Sequence, residues 1–133
     1  MVIRLPGILK NYDGNSFDCI VTQKIETLNG FLGDAAKQRP DSWKYYKFKW
    51  AKALTIVPER EKEEYKAYTT IISYRTRLLD KENLYGGCKP IRDTLERRGW
   101  IWNDSPKWGD LSVFQTLCKK GEEKTYIRVV LID

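Results

Sequence analysis

A single α+β domain built on a mixed β-sheet is the fold class that this 133-residue chain predicts. Three observations carry that prediction. Two β-rich blocks, Tyr65–Thr76 and Leu111–Ile132, enclose a short helix punctuated by Pro90 and Gly99. A second helical pattern with aromatic periodicity precedes the first of those blocks. No repeat, low-complexity stretch or linker divides the chain, and its length is enough for one core.

The elements follow in order. Residues 1–40 read as short strands, Val2–Leu5 and Phe17–Thr22, broken by Gly, Asn and Asp turn signals. Asp41–Val57 is a helix: Asp41 or Ser42 caps it after Pro40, and Trp43, Tyr46, Trp50, Leu54 and Val57 recur at helical spacing. Pro58 ends it. Its other side carries Lys44, Lys47, Lys49 and Lys52, with Tyr45 and Phe48 among them. A solvated basic face accounts for most of these lysines; a face that tracks phosphates with interleaved aromatics is the alternative.

Glu59–Glu64 is a charged connector, and Tyr65–Thr76 is a well-buried strand rich in Thr, Ile and Tyr. It leads directly to Leu78-Leu79-Asp80. Gly86 and Gly87 permit a bend or a close backbone approach, after which Pro90 opens a helix with Ile91 and Leu95 inward and Gly99 as C-terminal cap. Leu111, Val113 and Leu117 then alternate on one strand face, and Thr125–Ile132 returns after a turn at Lys119–Glu123, so the spacing predicts a hairpin.

Composition narrows the chemistry. Apolar residues make up 41% and aromatics 13%, a globular composition. The formal charge of +6 favours a polyanionic partner, since phosphate contacts release counterions. The chain has no histidine, which removes Ser-His and Cys-His catalysis and any His-containing zinc site. Cys19, Cys88 and Cys118 are dispersed without CxxC spacing, as expected in a reducing compartment. No apolar run approaches the roughly 20 residues of a membrane span, and Pro6 and Gly7 interrupt the start too soon for a secretory signal. A cytoplasmic protein without membrane attachment is the expectation.

The segment from Asp80 to Asp104 concentrates the remaining options. Asp80 and Glu82 stand at i and i+2, followed by Asn83, Lys89, Asp93 and Asp104. On an extended strand end, i and i+2 project to one face, so both carboxylates reach one ion. Three carboxylates without histidine form an oxygen site for Mg²⁺, with Mn²⁺ as substitute, and a poor one for zinc. Lys89 adds positive charge beside a phosphate. Alone, Asp80–Asn83 reads first as a solvated turn with a capping Asn; together with Lys89 and Asp104 the metal reading is favoured.

The order Asp80-Lys-Glu82-Asn83-Leu84, Lys89, Asp93-x-Leu95, Gly99, Asn103-Asp104 resembles the signature of the RusA family of Holliday-junction resolvases. The family pattern is Asp-x-Asp-Asn-Leu, a following Lys, Asp-x-Leu, Gly and Asp-Asp. The resemblance implies an α+β homodimer that cleaves branched, four-way DNA by Mg²⁺-dependent phosphodiester hydrolysis. It implies Asp80, Glu82 and Asp104 as metal ligands and, with Lys89, as the catalytic set, and Asn83 and Asp93 as supporting neighbours. Lys44, Lys47, Arg75, Arg77 and Lys89 are the expected DNA contacts, and Phe31 near Asn29 a wedge at the junction centre. The chain departs from the pattern at Glu82 and Asn103, in two extra residues around Gly86–Gly87, and at Leu79, where the family has Arg. A non-catalytic basic nucleic-acid-binding module is the alternative. A small-nucleotide hydrolase is disfavoured, because no Gly-rich phosphate loop is present. Trp100, Trp102 and Trp108 are expected mainly in the core and a dimer interface.

Overall fold

The computed structural model describes residues 7–26 and 42–132. The expected strand Val2–Leu5, the Asp41 cap, and Phe31 with Asn29 lie outside the described residues. The elements are β1 (Gly7–Lys10), β2 (Ser16–Val21), α1 (Ser42–Ala53), β3 (Lys66–Arg75), α2 (Lys81–Gly87), α3 (Lys89–Arg97), β4 (Gly109–Leu117) and β5 (Lys124–Ile132). Single 3₁₀ turns at Leu54–Ile56 and Pro106–Trp108 extend α1 and introduce β4. The α+β class with a five-stranded mixed sheet agrees with expectation, and a short extra helix, α2, precedes the expected α3.

Strand order across the sheet is β1-β2-β5-β3-β4. All neighbours are antiparallel except β3 and β4, which run parallel. This corrects the expected terminal hairpin: β3 lies between β4 and β5. A parallel pair needs a long crossover, and Thr76 to Trp108, with both α2 and α3, supplies it. β5 then crosses to the free side of β3, where the Thr- and Ile-rich central strand gains a second ladder. The Cys118 N–H still donates to Arg75 O at 2.7 Å, so the parallel ladder runs to the end of β3 before the chain turns.

Period-2 alternation gives the sheet one buried face. Phe17, Cys19 and Val21 of β2, Ala67, Thr69, Ile71 and Ser73 of β3, and Thr125, Ile127 and Val129 of β5 are buried, and Cys19, Ile127 and Ile71 are in register. α1 covers this face with Tyr46, Trp50 and Ala53, and α3 with Ile91, Thr94 and Leu95. Both helices belong to one continuous core. Leu111 and Val113 face it half-buried, as expected, whereas Leu117 is 62% exposed because it lies at the strand end.

The opposite face carries a cross-strand row of apolar residues. Ile8 pairs with Ile20, Ile20 with Tyr126, Tyr126 with Ile72, and Ile72 with Phe114, so the row spans all five strands. The neighbouring row is polar, with Asp18, Arg128, Thr70 and Ser112 in register and an Arg128–Asp18 ion pair at 3.6 Å.

The end of α3 is fixed by Gly99 at φ +89°, where a side chain would overlap the Arg60 carbonyl. The Arg60 N–H donates to Arg98 O at 3.0 Å. Trp100 Nε1 donates to Pro58 O at 2.7 Å, so the connector is pinned onto α3. Among the described residues, no helix is long and apolar enough to cross a membrane.

Candidate active site

Asp80 occupies the N-cap of α2 in extended backbone, φ −68° and ψ 160°. Its carboxylate accepts from Asn83 N at 2.9 Å and from Asn83 Nδ2 at 2.7 Å. The Asp-x-x-Asn spacing is therefore a cap in which one residue satisfies both carboxylate oxygens. This changes the geometry expected from the sequence. Glu82 lies in the first helical turn and not on an extended strand end, so the i, i+2 alternation does not set its direction. It is exposed, and an acid in a first turn suits the helix polarity.

Of the two roles expected of the twin glycines, a bend or a close backbone approach, the structure shows the second at Gly87. Gly86 and Gly87 end α2 without forming a bending loop, and a side chain on Gly87 would overlap the Glu26 carbonyl. Tyr46 of α1 donates from its hydroxyl to Gly87 O at 2.6 Å and accepts from Glu26 N at 2.9 Å. Gly87 is thus where α1, α2 and the chain after β2 close together. Cys88 follows, fully buried, with its thiol pushed up to about 12 by burial.

Lys89 opens α3 and is exposed; its Nζ lies 3.7 Å from Asp93 Oδ1 one turn on. Asp93 is its ion-pair partner. Asp104 lies exposed on the loop after α3, and its backbone oxygen accepts from the Arg92 guanidinium at 3.1 Å. Asn103, which stands where the family pattern has an acid, accepts from Ser105 N at 2.9 Å and shapes the turn. The structure thus joins Asp80 to Asn83, Lys89 to Asp93, and the Asp104 loop to Arg92. Among the described residues, no group of three or more Asp, Glu, Cys or His side chains is gathered to hold a metal ion.

The expected DNA contacts divide into two places. Arg75 and Arg77 line an open cleft of about 420 Å³ with Leu78, Leu79, Asp80 and Asn83. Arg75 is half-buried: it donates to Arg77 O at 3.1 Å, to Ser73 Oγ at 3.3 Å and to the Ile25 carbonyl. Burial lowers the pKa of its guanidinium, against the opposing charge of Glu26. Arg77 is exposed. Lys44 and Lys47 are exposed on α1.

Two positioning residues were missed in the sequence. Gln115 of β4 clamps Leu79, accepting from its N–H at 3.0 Å and donating to its carbonyl at 2.8 Å. Its signal was a lone amide at an inward position after Leu111 and Val113. Arg92 carried no signal, because its partner is a backbone oxygen. Trp100 is buried as expected, with Phe17 edge-on at 4.7 Å; Trp102 and Trp108 are half-buried, 6.0 Å apart. Compared with known proteins, the chain matches no protein-family model and no curated protein at a significant level.

Proposed function

We propose that this protein is a Mg²⁺-dependent, structure-selective endodeoxyribonuclease of RusA type, acting as a homodimer on four-way DNA junctions in recombination and repair. The observation that carries the reading is that the motif falls on one β3-α2-α3-β4 crossover and leaves Asp80, Glu82, Lys89 and Asp104 all exposed, while the apolar residues between them, Leu84, Ile91 and Leu95, are buried. Buried carboxylates would serve the fold; exposed ones are available to a substrate.

The donor set fits a hard cation, being all oxygen and open to water. Asp80, Glu82 and Asp104 would hold Mg²⁺ or Mn²⁺, and Asn83 orients Asp80 through its two hydrogen bonds. Bound there, the ion would lower the pKa of an attacking water and offset charge at the phosphate. Lys89, aimed by Asp93, supplies a positive charge toward the phosphodiester. Arg75 and Arg77 hold a neighbouring phosphate in the cleft beside Asp80. The apolar row Ile8, Ile20, Tyr126, Ile72 and Phe114 supports a dimer, since such a row favours a second surface over water. Three free thiols suit a reducing cytoplasm.

Incubation with a synthetic four-way junction and Mg²⁺ tests the reading. Paired nicks by the wild-type chain, lost in Asp80→Asn, are expected; an inactive wild-type chain, or an Asp80→Asn variant that cuts normally, refutes it. One observation favours the alternative, a non-catalytic nucleic-acid-binding module: the three carboxylates are not gathered around one point among the described residues. That module would bind junctions with steep salt dependence and show no Mn²⁺ isotherm that Asp104→Asn abolishes.

A further inference from the structure

We infer that the outward face of α1 is a stacking platform for unpaired bases of single-stranded nucleic acid. The helix, SWKYYKFKWAKA, carries four lysines and no acid over 12 residues. Tyr46, Trp50 and Ala53 satisfy the core from its inner side. Tyr45 and Phe48 are therefore not needed there, and each is 62% exposed.

At i and i+3 the two rings are neighbours on the helix surface. Lys44 and Lys52 stand at i−4 and i+4 from Phe48, on the same row of the helix. Lys49 stands at i+4 from Tyr45, and its Nζ lies 4.7 Å from the centre of that ring. Aromatic faces thus alternate with cations along the helix axis. A single strand offers the complement, unstacked bases interleaved with phosphates.

Charge selects this occupant over two others. A second copy of the same face would set lysines against lysines. A membrane-surface helix needs a continuous apolar face, and in α1 that face is already spent on the core. The platform uses none of the carboxylate-site residues, so it stands or falls separately from the proposed nuclease reaction.

The test is fluorescence anisotropy of the full chain with a labelled pyrimidine oligonucleotide, an unlabelled duplex of equal length, and phosphatidylserine vesicles. Tyr45→Ala and Phe48→Ala should each weaken single-strand binding about tenfold, with Trp at either position restoring it. Lys44→Gln combined with Lys52→Gln should lower the slope of log affinity against log salt by about 1.4. Junction cleavage is assayed in parallel, which keeps a failure of cleavage distinct from a failure of the platform. Ring variants within about twofold of wild type, equal competition by the duplex, or binding to vesicles alone would each overturn the proposal. Far-UV circular dichroism confirms that the exposed substitutions leave the fold intact.

Discussion

α1 and the α2–α3 pair cover the same sheet face and meet in one core, yet they send different chemistry to water. In α2–α3 acids and bases alternate and pair: Lys89 with Asp93, and Glu96 with Lys62 of the connector at 3.4 Å. α1 has no acid of its own, and it exposes two aromatic rings that its packing does not require. A helix whose charges pair has a self-contained surface, on which the residues of interest are single groups such as Asp80. A helix with charges of one sign and spare rings directs its whole face outward. The first is read residue by residue and the second as a surface.

The sharpest way to break the comparison lies within α1 itself. Trp50 is fully buried and Phe48 is 62% exposed, two residues apart on one helix. Trp50→Ala removes a large ring from the centre of the core and should cost about 4 kcal/mol in urea unfolding. Leu95→Ala on the facing helix should cost about 3 kcal/mol for the same reason. Phe48→Ala should stay within about 0.5 kcal/mol. A comparable loss for Phe48→Ala would mean that its ring stabilises the fold, and the division between the faces of α1 would be lost.

The next effect separates the two duties of Asp80. Asn caps a helix about as well as Asp, so Asp80→Asn should keep stability while junction cleavage falls at least about a hundredfold. Asp80→Ala should lose both activity and about 1 kcal/mol, because Asn83 N loses its acceptor. If the two variants lose stability equally, the cap is not what holds α2 together.

An alkaline titration probes the α2–α3 side through Cys88. Burial pushes its thiol up to about 12, and Cys19, beneath the helices on β2, is likewise raised to about 12, with Asp18 adding to it. Both thiols stay protonated in the fold above the pH at which an unfolded cysteine ionises, near 8.5. Their contribution is therefore complete at neutral pH and is lost as pH climbs from about 9 toward 12. Between pH 9 and 10 each should cost about 1 kcal/mol. Cys88→Ala should flatten that slope, whereas substitutions of the α1 lysines should leave it unchanged.

Much of this arrangement was legible in the sequence, and the gaps have physical causes. α1 could be read because one stripe of aromatics at helical spacing settles on one face; the central strand, because its Thr, Ile and Tyr residues suit a strand buried by ladders on both sides. Pro90 and Gly99 marked α3 correctly. α2 was hidden because its two glycines argue against a helix; beyond the local Asp80–Asn83 cap, what holds it is tertiary: buried Leu84 and the closeness of Gly87 to Glu26 and Tyr46. The pairing of β4 was hidden because alternation reports which face is buried and not which strand lies alongside. The chemistry-bearing residues of the candidate site were legible as an order, Asp80 to Asp104, but their supports act on backbone atoms: Arg92 leaves no pattern, and Gln115 shows only as a lone amide at an inward strand position.

The smallest expected effect is also the closest comparison, between one lysine on each side. Lys89 has an ion-pair partner in Asp93 one turn on, at 3.7 Å. Lys47 is exposed on a helix that offers it no acid. Lys47→Gln should lower the salt slope of junction binding by about 0.9 and leave cleavage at saturating DNA unchanged. Lys89→Gln should depress cleavage at saturating DNA, with stability within about 0.5 kcal/mol of wild type. A measurement that split binding from turnover would then read the two helices apart. If Lys47→Gln lowered turnover while Lys89→Gln changed only the salt slope, the chemistry would have to be moved from the α2–α3 pair to α1.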